Sequence, residues 1–238
     1  MTMKYIINLI KSLIPIILIY LIYLILAIVI SLVYVSLTNN DLESFITNYL
    51  SYFLLPYFII IIIFIFHKYS QTAPPLNTLP YLPCLYLGFS LTLTLNMLLF
   101  LLIPQESSTT PSLFTAIIFS SILGPIFEEV VFRYYFFNKL SSFSSPFLTV
   151  ILNSLIFAII HNTISGIIFA FFMSLCINLI YNKYHNLISC IIIHMICNFT
   201  ALFLSEFNLS ILLLSLLNLF ISILIIFPHS KKQSLISL

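Results

Sequence analysis

The sequence predicts an all-α, polytopic membrane protein: a bundle of about eight transmembrane helices with both termini on the cytoplasmic side. Three observations carry this. Of 238 residues, 62% are hydrophobic and only 6% charged, against about 25% charged in a soluble domain. The apolar runs are continuous over roughly 20 residues, the length of a spanning helix, whereas barrel strands alternate over about 10. The charges that remain sort by side. Lys4, Lys11, Lys68, Lys139, Lys183, Lys231 and Lys232 all fall on one face of an eight-span layout, while Asp41, Glu43, Glu106 and Glu206 fall on the other. Lysine-bearing loops stay in the cytoplasm, which sets the orientation.

Taken in order, the apolar runs are 13–37, 46–66, 81–103, 113–137, 147–161, 166–181, 187–204 and 209–227. The first follows Lys4 and Lys11 like a signal peptide, but it is too long for a signal h-region and no small-x-small site follows. It reads as an uncleaved span. Pro, Asn, Ser and charge fill the breaks, with Thr72-Ala73-Pro74-Pro75-Leu76-Asn77 the clearest linker. No internal repeat is visible. The expected division is residues 1–111 (spans one to three, without a motif), 112–204 (a catalytic core of spans four to seven) and 205–238 (the last span and a basic tail).

Composition excludes several classes. A net charge of +2 offers no phosphate-binding patch, so no nucleic acid partner is expected. Three glycines cannot build a nucleotide loop. Cys84, Cys176, Cys190 and Cys197 lie in apolar runs without a C-x-x-C pair, which argues against a disulfide framework or zinc finger. The abundance of Ile, Phe, Tyr and Asn fits an AT-rich bacterial genome, hence a bacterial cytoplasmic membrane. Membrane lipids are the surrounding partners.

Span four keeps three charges inside the membrane: Glu128, Glu129 and Arg133, the only arginine. Each costs roughly 2.5–3.5 kcal/mol near a helix centre, so such residues are functional candidates. Glu129 and Arg133 are four apart, share a helix face and can pair. Glu128 is turned by about 100° onto another face without a cation of its own helix. A buried ion pair alone would explain Glu129 and Arg133 as structural, but an apolar residue would be cheaper than Glu128. Glu128 therefore reads as an acid/base group. His194 and Asn198, four apart on span seven, offer two donors on one face for a developing oxyanion. Phe157 and His161 have the same spacing at the end of span five.

The order G-P-x-x-E-E-x-x-x-R, then F-x-x-x-H, then H-x-x-x-N resembles the CPBP family, over roughly Ser112 to Thr200. This family holds the type II CAAX prenyl proteases and the bacteriocin-processing and self-immunity (Abi) membrane proteins. The resemblance implies an intramembrane glutamic-type endopeptidase acting on a peptide or lipid-modified protein. Glu128 and His161 would then activate water, His194 and Asn198 would bind the oxyanion, and Glu129, Arg133 and Phe157 would support the site. Many members carry Gly after the motif Arg, where this chain has Tyr134.

No cofactor is expected. Zinc on Glu128, Glu129, His161 and His194 is the mechanistic alternative, although no H-E-x-x-H pair exists. A cysteine nucleophile at Cys190 or Cys197, within a turn of His194, is a weaker one. A non-catalytic immunity or scaffold protein, or a proton pathway, uses the same residue types. One geometric difficulty stands out: His161 lies about 21 Å along span five, but Glu128 about 14 Å and His194 about 10 Å from their cytoplasmic ends. Either span five enters the membrane late, near Asn153, with residues 162–166 as a polar turn lining a cavity, or it tilts.

Overall fold

The computed structural model describes residues 3–38, 41–69, 81–103 and 111–227. Within them the chain is helical: α1 (Met3–Thr38), α2 (Leu42–Asn48), α3 (Leu50–Tyr69), α4 (Tyr81–Leu102), α5 (Leu113–Ser141), α6 (Pro146–Ile159), α7 (Ile164–Tyr184), α8 (Leu187–Ala201) and α9 (Leu209–Ile226). Six of these, α1, α3, α4, α5, α7 and α9, are long and apolar enough to cross a membrane. The shorter apolar helices α6 and α8 coincide with the predicted fifth and seventh runs. The linker 72–77, Glu106, Lys231 and Lys232 lie outside the described residues.

Local chemistry sets the helix starts. Asp41, Ser145, Thr163, Asn186 and Asn208 each cap a helix by accepting from a backbone N–H three residues on. Pro146 opens α6, where its missing N–H is harmless. Between α7 and α8 the chain turns through His185, in the left-handed region at φ 49°, and Asn186.

The helix α5 is the axis of the bundle. Val131, Phe132, Phe136, Phe137 and Leu140 are fully buried, and α3, α6 and α8 pack around it. α4 lies against α8 and α9, and α6 pairs with α7. Gly88 lets α4 approach α8 closely: a Cβ there would stand 2.7 Å from the Ile193 carbonyl oxygen. The outer faces of α1, α3 and α9 expose Ile, Leu, Val and Phe, which suits lipid rather than water.

The sequence pattern predicts an ordinary α-helix for span four, and here the structure differs. Residues Ala116–Leu123 and Val130–Phe137 are π-helical, with α-helical Gly124–Glu129 between them. Such wide turns are rare and disturb the backbone ladder, and they recur at functional sites. Two asparagines from neighbouring helices compensate. Asn198 Nδ2 donates to the Ser120 carbonyl (2.7 Å), and Asn153 Nδ2 donates to the Phe132 carbonyl (2.9 Å). Each π segment thus has a carbonyl held by a side chain of an adjacent span, as irregular backbone in a membrane requires.

Candidate active site

Glu128 and Glu129 close the short α-helical segment of α5, so their side chains diverge. The side chain of Glu129 is fully buried, whereas that of Glu128 is 26% exposed. Arg133 Nη1 donates to Glu129 Oε1 at 2.9 Å, so the expected pair forms even though Arg133 already lies in a π turn. Arg133 Nη2 donates to Ser174 Oγ of α7 at 2.9 Å. Ser174 in turn accepts from Asn178, whose amide also donates to Ser154 of α6. This buried chain ties the arginine to two further spans, and burial makes each link costly to lose.

His194 of α8 sits between the two carboxylates. Its Nδ1 is 2.7 Å from Glu129 Oε1 and its Nε2 is 3.6 Å from Glu128 Oε2. With Nδ1 as the donor, His194 gives its proton to the Glu129 oxygen that also accepts from Arg133. That fixes the ring and leaves Nε2 toward Glu128. The sequence pattern had not joined His194 to Glu129, because the pairing spans 65 residues.

His161 stands differently from its expected place at the end of the fifth helix. α6 stops at Ile159, and His161 lies in the turn before α7. Its Nδ1 remains 3.2 Å from the Phe157 carbonyl oxygen. α6 is only about 21 Å long, against a hydrocarbon thickness of about 30 Å. The turn and the first residues of α7 line a cavity through His161, Thr163, Ser165 and Gly166. The polar turn thus lines a cavity, and the helix before it starts at Pro146.

That cavity holds about 330 Å³ and is also lined by His194, Asn198, Ser120 and Asn96, with Leu99, Phe169 and Met173 as apolar walls. His161, His194 and Asn198 therefore face one space. Glu128 is not among the residues lining it but stands behind His194, its Oε2 3.6 Å from Nε2, and lies within electrostatic reach of His161 as well. Asn198 uses one amide hydrogen on Ser120, which orients the second.

Phe157 is the hub of the site. Its ring is fully buried, 5.2 Å from the ring of His161, 5.7 Å from that of His194 in a T-shaped contact, and 4.8 Å from Arg133 Cζ. One aromatic side chain thus fixes three polar groups, two of them by their faces. Ser174, Ser120, Asn153 and Asn178 were not found from the sequence. Their only signal is polarity within an apolar run, which many harmless serines share.

The thiols near His194 point elsewhere. Cys190 and Cys197 are fully buried, and their Sγ atoms contact the Ile177 and Gly88 carbonyls. Among the described residues no three His, Cys, Asp or Glu side chains gather as a metal ligand set.

Residues 110–200 match the family model described as type II CAAX prenyl endopeptidase Rce1-like. The matched stretch contains every motif on which the sequence resemblance rests, from Glu128 to Asn198. The family that this stretch is similar to is a protease family, and the stretch lies in an all-α chain with six helices long and apolar enough to cross a membrane among the described residues. No curated protein and no solved structure matches the chain.

Proposed function

We propose that this chain, Rce1-like over residues 110–200, is an intramembrane glutamic endopeptidase that hydrolyses a peptide bond in a membrane-associated peptide or protein. The observation that carries this is the contrast between the carboxylates. Glu129 is buried and held at Oε1 by Arg133 and His194, while Glu128 stands beside them, partly accessible, with the His194 imidazole 3.6 Å away.

In this reading a water in the cavity is held between Glu128 and His161. Glu128 takes one proton as the water oxygen bonds to the scissile carbonyl carbon. The carbonyl π electrons move onto oxygen, and the resulting anion meets His194 Nε2–H and the second amide hydrogen of Asn198. His194 can donate there as an imidazolium, which Glu129 stabilises at Nδ1. The tetrahedral intermediate then collapses, the C–N bond breaks, and Glu128 returns the proton to the leaving amine. Arg133 keeps Glu129 charged and in place, and Phe157 aligns both histidines.

The cavity supports a single extended peptide rather than a folded domain, since its walls are Leu99, Phe169 and Met173 at about 330 Å³. The mechanism asks for no metal and no cysteine. The test is to incubate the protein in liposomes with membrane-anchored peptides, including ones ending in a C-a-a-X sequence, and to identify products by mass spectrometry. One internal cleavage, insensitive to chelator and to thiol alkylation, is expected. No cleavage across lipidated and unlipidated peptides would favour a non-catalytic immunity or scaffold role.

A further inference from the structure

Tyr20 of α1 lies outside the family match, and no motif points to it. Its hydroxyl is buried and has no hydrogen-bond partner among the described residues. A buried donor left without a partner is destabilising, so Phe would be the cheaper residue here. The neighbouring tyrosine of α3 behaves ordinarily: the Tyr57 hydroxyl donates to the Ile19 carbonyl. That bond ties α3 to α1 at the residue before Tyr20 and holds its position.

α1 runs antiparallel to the second half of α5, with Tyr5 hydrogen-bonded to Ser144 and the Tyr135 hydroxyl donating to the Ser12 carbonyl, and continuing along both helices from that pair brings Tyr20 level with Glu128. Ring contacts run from Tyr23 to Phe58 (5.9 Å) and from Phe58 to Phe127 (4.8 Å), the residue before Glu128. Tyr20 also shares an apolar groove with Ile156, Ile159 and Ile160, the last of which precedes His161. Glu128 acts on it electrostatically. Glu128 is itself faced by His194 of α8, by His161 of the turn, and by Glu129 and Arg133 of its own helix.

We propose that Tyr20 is a positioning residue for Glu128: its hydroxyl donates to the Glu128 carboxylate, directly or through one water, once substrate occupies the site. This rests on the proteolytic reading above. The phenol would fix the carboxylate rotamer from the α1 side while His194 fixes it from the α8 side, leaving one oxygen aimed at the attacking water. The groove beside Tyr20 supplies apolar walls, and the neighbouring Tyr57 hydroxyl is already engaged on the Ile19 carbonyl.

The experiment compares Tyr20→Phe, Glu128→Gln and the parent protein in liposomes, by thermal unfolding and by cleavage kinetics on a peptide the parent cleaves. Tyr20→Phe should keep or raise the melting temperature and leave KM unchanged, while kcat falls about tenfold. A role only in packing would not split kcat from KM. Full kcat in Tyr20→Phe beside a dead Glu128→Gln overturns the proposal and leaves the protease reading intact. Full activity in both variants overturns the protease reading instead. A clear loss of melting temperature in Tyr20→Phe also overturns the proposal, because the hydroxyl then has a structural partner. That last readout holds even if no peptide is cleaved.

Discussion

Glu129 Oε1 meets two groups at once, His194 Nδ1 at 2.7 Å and Arg133 Nη1 at 2.9 Å. The same oxygen thus fixes a catalytic candidate from α8 and a charge from its own helix. In the proposed mechanism Glu129 accordingly has a structural and electrostatic role, and Glu128 is left for the chemistry.

Glu129→Gln should lower both abundance and stability. The amide cannot neutralise Arg133, and breaking one side of a buried pair costs about 3–5 kcal/mol. It also frees the His194 ring. Glu129→Gln combined with Arg133→Met should recover part of the loss, because no orphan charge remains. Melting temperature in detergent checks both. A stable Glu129→Gln protein beside an unstable Glu128→Gln protein would reverse the two roles.

Asn153→Ala should cost about 0.5–1.5 kcal/mol without touching any reacting group, since it removes the buried hydrogen bond to the Phe132 carbonyl. Asn198→Ala removes the bond to the Ser120 carbonyl, whose partner five residues on would be Pro125 without an N–H, and also removes the proposed oxyanion donor. It should lose stability and, more strongly, activity. Cleavage rates normalised to folded protein separate the two variants: Asn153→Ala keeps its rate, and Asn198→Ala drops by about 10²–10³-fold.

Phe157→Ala should be among the most damaging apolar substitutions. Phe→Ala in a core costs about 3–5 kcal/mol, and here the ring also holds His161, His194 and Arg133. Phe157→Tyr is disfavoured too, because the site is fully buried. Expression level and melting temperature of both variants provide the check.

Reporter fusions after Glu43, Lys68, Glu106, Lys139 and Glu206 should alternate between the two sides of the membrane. The segregation of lysines from loop carboxylates motivates this. Two neighbouring fusions on the same side would break the eight-span layout.

Much of this architecture is legible in the sequence because lipid forces long apolar runs and punishes stray charge. The helix positions and the Glu129–Arg133 pair follow from that alone. The π turns do not, since no residue pattern distinguishes them from an α-helix; their trace is indirect, in Asn153 and Asn198, which reach across to the freed carbonyls. His161 was expected on a helix because the apolar run continues through Ile160. Its release into a turn depends on Thr163 capping α7, a local signal weaker than the run of hydrophobic residues. The His194–Glu129 contact joins helices far apart in the chain, and spacing within one helix cannot reveal it.

The most direct test of the central claim is the cleavage rate of Glu128→Gln against the parent, in liposomes, on the same membrane-anchored peptide, with the melting temperature of each. The account predicts a rate indistinguishable from background at an unchanged melting temperature, because only the acid/base group is lost. A Glu128→Gln protein that cleaves at the parental rate would contradict it.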